Sequence, residues 1–379
     1  MDRAFYLELA AQGLRMPIGT DLMLNEESDP EKVRLDGAAL GRVVERSARR
    51  WMTPLAIPLM DLRLEKADLL KDFGVSADDS EAFHFTKPID SMTVSRICCA
   101  QNAEHCAGSR ARNEAVAYIR SQEDLVPVGL AIGPFSLATR LMADPITAAA
   151  MAGRGTQPSE SEEIRLLQQC LELAEAAVRR SVLSQIVHGA RAMMICEPAA
   201  CKAYISPRQI RSGSRIFENM VMAPNLRLKE LLDSANCDLI FHDCGELTDE
   251  MVREFATRLR PVILSFGSSR RLWEDARLVP KDVVLYGNLP TKSFYSDSAM
   301  PVSKVVEQAR ELKAKMKDCG HPHILGSECD VLFVAEAQQS IQTKVAAMMG
   351  EDGAGDSSEW FGRNNATASD HLRGVHARD

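Results

Sequence analysis

Three residues in the second half of the chain carry side chains that bind transition metals. His242 and Cys244 stand two positions apart where one apolar run ends, and Cys329 stands where a later run ends. Alternate side chains of a strand point to the same face, so the His242 imidazole and the Cys244 thiol would form a chelating pair, with Asp243 on the other face. One imidazole and two thiolates suit Zn²⁺, and three protein ligands leave a fourth position for water or substrate.

The same residue types also have an ordinary structural use. A buried cysteine behaves as a small hydrophobic residue, so a His-x-Cys pair by itself is more often part of the packing than part of a metal site. Cys329 is also far from the pair in sequence. A single metal site therefore requires a fold that brings the two strand ends together.

Further candidates follow other predicted strands. Glu197 could be a fourth metal ligand, a general base, a hydrogen-bond partner or a solvated loop residue. Tyr204 could line the pocket or serve packing. We predict catalytic roles for Glu197 and Tyr204. We predict cofactor-binding roles for Asn288 and for Ser327, which would share a strand face with Cys329.

Composition limits the kind of protein that positions these residues. The chain has 379 residues, 45% of them hydrophobic, and a net charge of −8. These values exclude a disordered chain and disfavour a nucleic-acid-binding protein, which needs a basic surface. Ten cysteines without an apolar signal region at the N-terminus favour a cytoplasmic enzyme with reduced thiols. The most apolar stretch, residues 126–143, is interrupted by Pro, Gly and Arg, so we expect no membrane association.

Short apolar runs recur along the chain and predict β-strands. Most are rich in Val, Ile and Leu without polar alternation, which is typical of strands buried on both faces. The seven clear runs are residues 54–60, 126–132, 192–196, 237–242, 261–265, 283–286 and 322–325, and an eighth strand is predicted within residues 83–97.

Amphipathic helices are predicted between these runs. The clearest covers about residues 160–189 and opens with Ser159 and Glu162 at capping-box spacing. Another covers about residues 303–318 and ends before Gly320. Alternating strands and helices predict a parallel sheet with helical crossovers. The pattern alone allows either a closed (β/α)8 TIM barrel or an open doubly wound sheet.

Four segments stand in a recognisable order. They are Gly133-Pro134-Phe135-Ser136-Leu137-Ala138, Tyr204-Ile205-Ser206-Pro207, Tyr286-Gly287-Asn288-Leu289-Pro290, and His242-x-Cys244 with the later Cys329-Asp330-Val331. The first three resemble the GPFTLA, ISP and GNLDP segments of the uroporphyrinogen decarboxylase superfamily, the last of these without its Asp. The fourth resembles the H-x-C…C zinc signature of the branch that contains the methylcobalamin:coenzyme M methyltransferases. The resemblance covers about residues 15–348.

This resemblance implies a (β/α)8 TIM barrel with zinc bound by His242, Cys244 and Cys329 at its mouth. It also implies a methyltransferase that moves a methyl group between a corrinoid, methylcobalamin, and a thiol or small methyl donor. The corrinoid would be carried by a partner, a corrinoid-binding protein. Zinc would deprotonate the thiol or polarise the methyl donor. Arg270 and Arg271 could then bind an anionic substrate or the partner's surface, or be solvated.

The expected organisation is a single barrel domain at residues 1–349, with an N-terminal extension. Residues 350–379 are rich in Gly, Ser, Asp, Asn and Arg, and are expected to form a flexible tail. We predict packing roles, and no second metal site, for Cys98, Cys99, His105 and Cys106, because adjacent ligands chelate poorly.

Departures from the family pattern keep other functions open. The M-R-Q-A-G-R segment of the decarboxylases is replaced by residues 14–21, and Leu332-Phe333-Val334-Ala335 stands where the methyltransferases usually have prolines. One alternative is a metal-free decarboxylase acting on a tetrapyrrole or another acidic substrate. Others are a non-catalytic barrel that binds a corrinoid or tetrapyrrole, and a thiol methyltransferase that uses free methylcobalamin or another soluble donor.

Overall fold

The computed structural model describes residues 2–100 and 104–350. Eight strands form one parallel sheet that curls into a (β/α)8 barrel, with the order β1-β8-β7-β6-β5-β4-β3-β2. The strands are β1 (Arg15–Ile18), β2 (Leu55–Ala56), β3 (Val126–Ile132), β4 (Ala192–Cys196), β5 (Asp238–Asp243), β6 (Ile263–Phe266), β7 (Val284–Leu289) and β8 (His323–Asp330).

Helices surround the barrel and connect the strands. They are α1 (Arg3–Ala11), α2 (Thr20–Leu24), α3 (Pro30–Arg34), α4 (Gly37–Arg50), α5 (Leu64–Lys71), α6 (Ser91–Cys99), α7 (Ala107–Arg120), α8 (Pro134–Arg140), α9 (Pro145–Gly153), α10 (Glu162–Val187), α11 (Pro207–Arg211), α12 (Ala223–Ser234), α13 (Asp249–Glu254), α14 (Leu272–Asp275), α15 (Val302–Asp318) and α16 (Gln338–Met349). Single turns of 3₁₀-helix lie at Thr291–Ser293 and Ala335–Ala337, and π-helical turns at Glu218–Met222 and Phe255–Leu259.

The central strands are buried on both faces. Met194 of β4 and Ile240 of β5 pack inside the barrel, whereas their neighbours Met193 and Phe241 pack outward with the helices. Double burial explains the nearly continuous apolar runs in the sequence. Because His242 has the same parity as Ile240, it points inward, at the end of the barrel where parallel strands finish.

Helix α1 covers the opposite end of the barrel. Its Arg3 guanidinium donates from Nη1 to the carbonyls of Pro261 (2.8 Å) and Asp282 (2.9 Å), both of which precede strands. The Tyr6 hydroxyl donates to Asp238 at the start of β5. Tyr6 is also fully buried within the barrel's inner apolar cluster. The N-terminal segment thus closes the bottom of the barrel and leaves the strand C-termini free to build a site.

Strands β1 and β2 are the two ends of the hydrogen-bonded order, and side chains bridge the seam between them. Thr20 Oγ1, just after β1, donates to the carbonyl of Ile57, just after β2 (2.7 Å). Thr53 Oγ1 lies 3.2 Å from Met16 Sδ on the same seam. The barrel mouth is therefore held together here by side chains that span the seam.

Seven predicted strands are confirmed, and the eighth prediction is wrong. Residues 83–97 hold helix α6 and an isolated bridge between Phe85 and Met142. The remaining strand is β1, which has four residues including Pro17 and therefore shows no long apolar run. Its place at one end of the hydrogen-bonded order explains why a proline is tolerated.

The two predicted helices are confirmed with one change at a terminus. Helix α10 begins at Glu162, and its N-cap is Ser161, whose Oγ accepts from the Ile164 amide at 3.3 Å. The predicted capping box at Ser159 is wrong. Helix α15 ends at Asp318, before Gly320, as predicted. The predicted tail, apart from Gly350, lies outside the described residues. None of the described helices combines the length and apolarity needed to cross a bilayer.

Candidate metal centre at the barrel mouth

The barrel brings the three predicted metal ligands together. One ligand atom each from His242, Cys244 and Cys329 lies within 4.8 Å of the other two. His242 is buried and both cysteines are half-buried. His242 belongs to β5, Cys244 follows that strand directly, and Cys329 belongs to β8. The curvature of the sheet therefore unites residues that are far apart in sequence.

The orientation of His242 is fixed by the next strand. Its Nδ1 lies 2.8 Å from Ser265 Oγ, and Ser265 is its register partner on β6. With Nδ1 protonated and donating to that hydroxyl, Nε2 presents a lone pair. Nε2 is buried and has no hydrogen-bond partner in the described structure. An orphaned buried nitrogen of this kind is unfavourable unless a ligand occupies it.

The two thiols form a coupled pair. The neighbouring Cys329 thiol lowers the pKa of Cys244, and His242 and Lys292 lower it further. The neighbouring Cys244 thiol and burial raise the pKa of Cys329, so the pair holds one proton more readily than two. A soft divalent cation would replace that proton and satisfy Nε2 as well. The donor set thus fits Zn²⁺.

Lys292 is a functional candidate that the sequence analysis missed. Its ammonium group interacts electrostatically with the thiols of Cys244 and Cys329. Desolvation alone would lower the pKa of Lys292, but the charges of Cys244, Cys329 and Glu328 raise it. Lys292 lies in the 3₁₀ turn after β7, immediately beyond the segment that resembles the GNLDP turn. The only indication of a functional role in the sequence was the position of Lys292 just after the end of a strand.

Glu328 links the loops around this lysine. Its carboxylate accepts from the Lys292 amide (3.3 Å) and from the Ser268 amide (3.1 Å) and hydroxyl (2.5 Å). These contacts connect β8 with the loops that follow β6 and β7. Because Glu328 is adjacent to Cys329, the network also holds that ligand in place. In the sequence, the only indication of a role for Glu328 was its position next to Cys329, a predicted metal ligand.

Glu197 lies deep in the protein, so the solvated alternative is wrong. Its carboxylate accepts from the Ser136 amide (2.6 Å), the Phe135 amide (3.4 Å) and Asn225 Nδ2 (2.8 Å). Burial raises the pKa of Glu197 despite these hydrogen bonds. A Cβ on Gly133 would lie 2.2 Å from its Oε2, which explains why glycine stands there. Of the alternatives considered for Glu197, the structure shows a hydrogen-bond partner, because its carboxylate accepts from amides at the start of α8.

Tyr204, Asn288 and Ser327 all lie after or within the C-terminal parts of strands. The Tyr204 ring packs edge-on against Phe135, with centroids 6.2 Å apart. Asn288 Nδ2 donates to two carbonyls of the loop after β6, those of Gly267 (2.8 Å) and Arg270 (3.0 Å). These two side chains shape the loops around the mouth.

Ser327 joins three strands. Its Oγ accepts from the Ile18 amide at 3.0 Å and lies 3.2 Å from the Tyr286 hydroxyl. That hydroxyl donates to the carbonyl of Met16 at 2.8 Å. Ser327 is fully buried between β1, β7 and β8. These contacts support the barrel near the predicted metal site.

Two basic residues that were considered for anion binding have other partners. The Arg270 guanidinium bonds Asp275 and, at 2.8 Å, Asp249. Arg271 is exposed and pairs with Glu274 at 3.1 Å. In the cysteine-rich segment, His105 Nδ1 lies 2.8 Å from Asp68, and Cys99 is exposed. In the parts of the chain that the structure describes, His242, Cys244 and Cys329 are the one group of this kind with metal-binding spacing.

Comparison with known proteins agrees with this architecture. Residues 74–348, more than two thirds of the chain, match the family model described as uroporphyrinogen decarboxylase (URO-D). The fold is similar to that of a methyltransferase from Methanosarcina mazei, with a TM-score of 0.60 and 14% identity over 88% of this chain and 92% of that chain. No curated protein gives a match. The family match spans all three candidate ligands, and the chain belongs to the uroporphyrinogen decarboxylase (URO-D) family.

Proposed function

We propose that this protein is a zinc-dependent methyltransferase of the cytoplasm. It would move a methyl group between a corrinoid, carried as methylcobalamin by a separate corrinoid-binding protein, and a thiol or small methyl donor. The observation that carries the proposal is the buried, unpartnered Nε2 of His242 beside two coupled thiols. Membership of the URO-D family and the likeness to a methyltransferase fold support it.

The chain's own residues would prepare the site for a thiol substrate. Ser265 Oγ would orient the His242 ring through Nδ1 and leave Nε2 for the metal. Cys244 and Cys329 provide two thiolates. The positive charge of Lys292 would offset negative charge on Cys244 and Cys329 at the mouth. Bound zinc would supply Lewis acidity, which shifts a thiol of pKa ~8.5 to its nucleophilic thiolate form at neutral pH.

The remaining candidates would keep this arrangement rigid. Glu197 fixes the start of α8, and Asn288 fixes the loop after β6. Ser327 ties β1 to β8. The half-buried cysteines would be shielded from part of the solvent. The cobalt chemistry would belong to the corrinoid and its carrier.

The first experiment measures metal content by inductively coupled plasma mass spectrometry. We expect about one zinc per wild-type chain and loss of zinc in both Cys244→Ser and Cys329→Ser. Cys319→Ser is the matched control, because Cys319 lies just before β8 at the opposite end of the barrel. Zinc retained in both site variants, or absent from wild type after expression with added zinc, would contradict the proposal.

The second experiment tests methyl transfer. Wild-type protein is mixed with methylcobalamin and a panel of small thiols, and the loss of the methylcobalamin absorbance is followed. We expect demethylation that depends on a thiol and on bound zinc. If the protein binds zinc but no thiol demethylates methylcobalamin, the result would favour transfer from a small methyl donor to a reduced corrinoid. Tetrapyrrole decarboxylation by zinc-free protein would favour the decarboxylase alternative.

A further inference from the structure

Met60 brings a third sulfur to the barrel mouth. Its Sδ lies 3.9 Å from Cys329 Sγ. Met60 follows β2, whereas Cys329 lies near the end of β8, so the two sulfurs meet near the seam between β1 and β2. Met60 is half-buried and packs against the apolar cluster inside the barrel.

The contact is a hydrogen bond that the Cys329 thiol donates to the Met60 thioether, and its length is also compatible with two sulfur ligands on one metal. Zn–S bonds are ~2.3 Å, and two ligands at a tetrahedral angle of ~109° are therefore ~3.8 Å apart. The observed 3.9 Å between Met60 and Cys329 matches this separation. Thioether sulfur is a soft donor, like the thiolates beside it.

The loop that carries Met60 is held on both sides. The carbonyl of Ile57 accepts from Thr20 across the seam at 2.7 Å. The carboxylate of Asp61 accepts from the Arg63 guanidinium (2.8 and 2.6 Å) and lies 3.5 Å from Arg34. Burial by itself would raise the pKa of Asp61, but the hydrogen bonds and charge of Arg63 and the charge of Arg34 outweigh it and lower the pKa, which favours the ionised, paired form. Met60 is thus positioned by an anchored loop.

We propose that the Met60 thioether is the fourth, displaceable ligand of the metal site, an inference that rests on the proposed function. A thioether is neutral and needs no deprotonation, so it would close the site without adding charge. It is also a weaker donor than a thiolate. A thiol substrate that had lost its proton to solvent would take the place of the Met60 thioether, with no transfer of electrons. Met60 would therefore exclude water in the resting state.

The test is zinc X-ray absorption spectroscopy on purified protein in buffer free of thiols. For wild type we expect three sulfur neighbours and one nitrogen at the zinc. For Met60→Leu we expect two sulfurs and two lighter atoms, with zinc content unchanged. Leucine has nearly the volume of methionine, so packing at the mouth is preserved. Met316→Leu, on α15, is the control and should keep three sulfurs.

Addition of a small thiol extends the test. The sulfur count should stay at three in wild type, because the thiolate replaces the thioether, and should rise from two to three in Met60→Leu. Two sulfurs in resting wild type, or three in resting Met60→Leu, would overturn this inference while leaving the zinc site in place. Wild-type protein that binds no zinc would overturn the proposed function as well.

Discussion

His242 Nδ1 lies 2.8 Å from Ser265 Oγ, and the two residues are direct register partners on β5 and β6. The imidazole is therefore oriented by the sheet itself, without the help of a mobile loop. The other ring nitrogen, Nε2, is buried and has no hydrogen-bond partner in the described structure. A single strand pairing thus sets the orientation of the candidate ligand.

Ser265→Ala should weaken zinc binding by about 10–100-fold, the usual effect of losing the group that orients a metal-binding histidine. The affinity is measured by competition with a chromophoric chelator. Ser265→Thr keeps a hydroxyl and should recover most of the affinity. Equal affinities for wild type and Ser265→Ala would show that the hydroxyl does not act on the metal through His242.

Glu197→Ala should reduce stability and leave zinc binding nearly unchanged. The substitution removes a buried acceptor from the amides of Phe135 and Ser136 and from Asn225, and leaves a cavity. We expect a loss of roughly 2–4 kcal/mol in the free energy of unfolding, measured in urea. Chelator competition at 10 °C, where the variant is folded, measures zinc affinity. A large fall in affinity there would identify Glu197 as a metal ligand instead.

Ser327→Ala tests the hydrogen bonds that connect β1, β7 and β8. The change leaves the buried amide of Ile18 without its acceptor and removes a neighbour of the Tyr286 hydroxyl. We expect a loss of about 1–3 kcal/mol in the free energy of unfolding. Tyr286→Phe should cost a similar amount, because it removes the buried hydroxyl that donates to the Met16 carbonyl. If both variants unfold like wild type but lose methyl transfer, Ser327 has a functional role beyond support.

Much of the barrel follows from local sequence pattern. Strands β3 to β8 were recognisable because burial on both faces requires continuous apolar runs. Strand β1 was not, because its four residues include a proline and its burial depends on contacts with β8 and α1. Helix α6 lies where a strand was expected, since a short mixed segment has no clear periodicity.

The candidate site was predictable only in part. His242, Cys244 and Cys329 have residue types whose chemistry is evident in the sequence. Lys292 does not, because a lysine after a strand is ordinary until the closed sheet places it beside Cys244. Met60 is missed for the same reason, since methionine is usually a packing residue. The roles of Lys292 and Met60 depend on contacts across the barrel, and such contacts cannot be predicted from local sequence pattern.

Lys292→Met should make zinc dissociate at a higher pH. Protons compete with the metal for thiolates. The pKa of Cys244 is lowered by the neighbouring Cys329 thiol and by His242, and the charge of Lys292 adds to this effect. Without that charge the pKa of Cys244 rises, so protonation and zinc release begin earlier on acidification. We expect the midpoint of release to move up by about 0.5–1 pH unit.

The midpoint is followed by zinc release to a fluorescent indicator during acid titration. Lys292→Arg keeps the charge and should titrate close to wild type. Lys281→Met is the matched control, because Lys281 bonds the carbonyls of Cys319 and Gly320 (both 2.9 Å) just before β8, at the opposite end of the barrel. It should not move the midpoint. A midpoint for Lys292→Met equal to that of wild type would mean that the ammonium does not stabilise the thiolates and serves substrate or partner contacts instead.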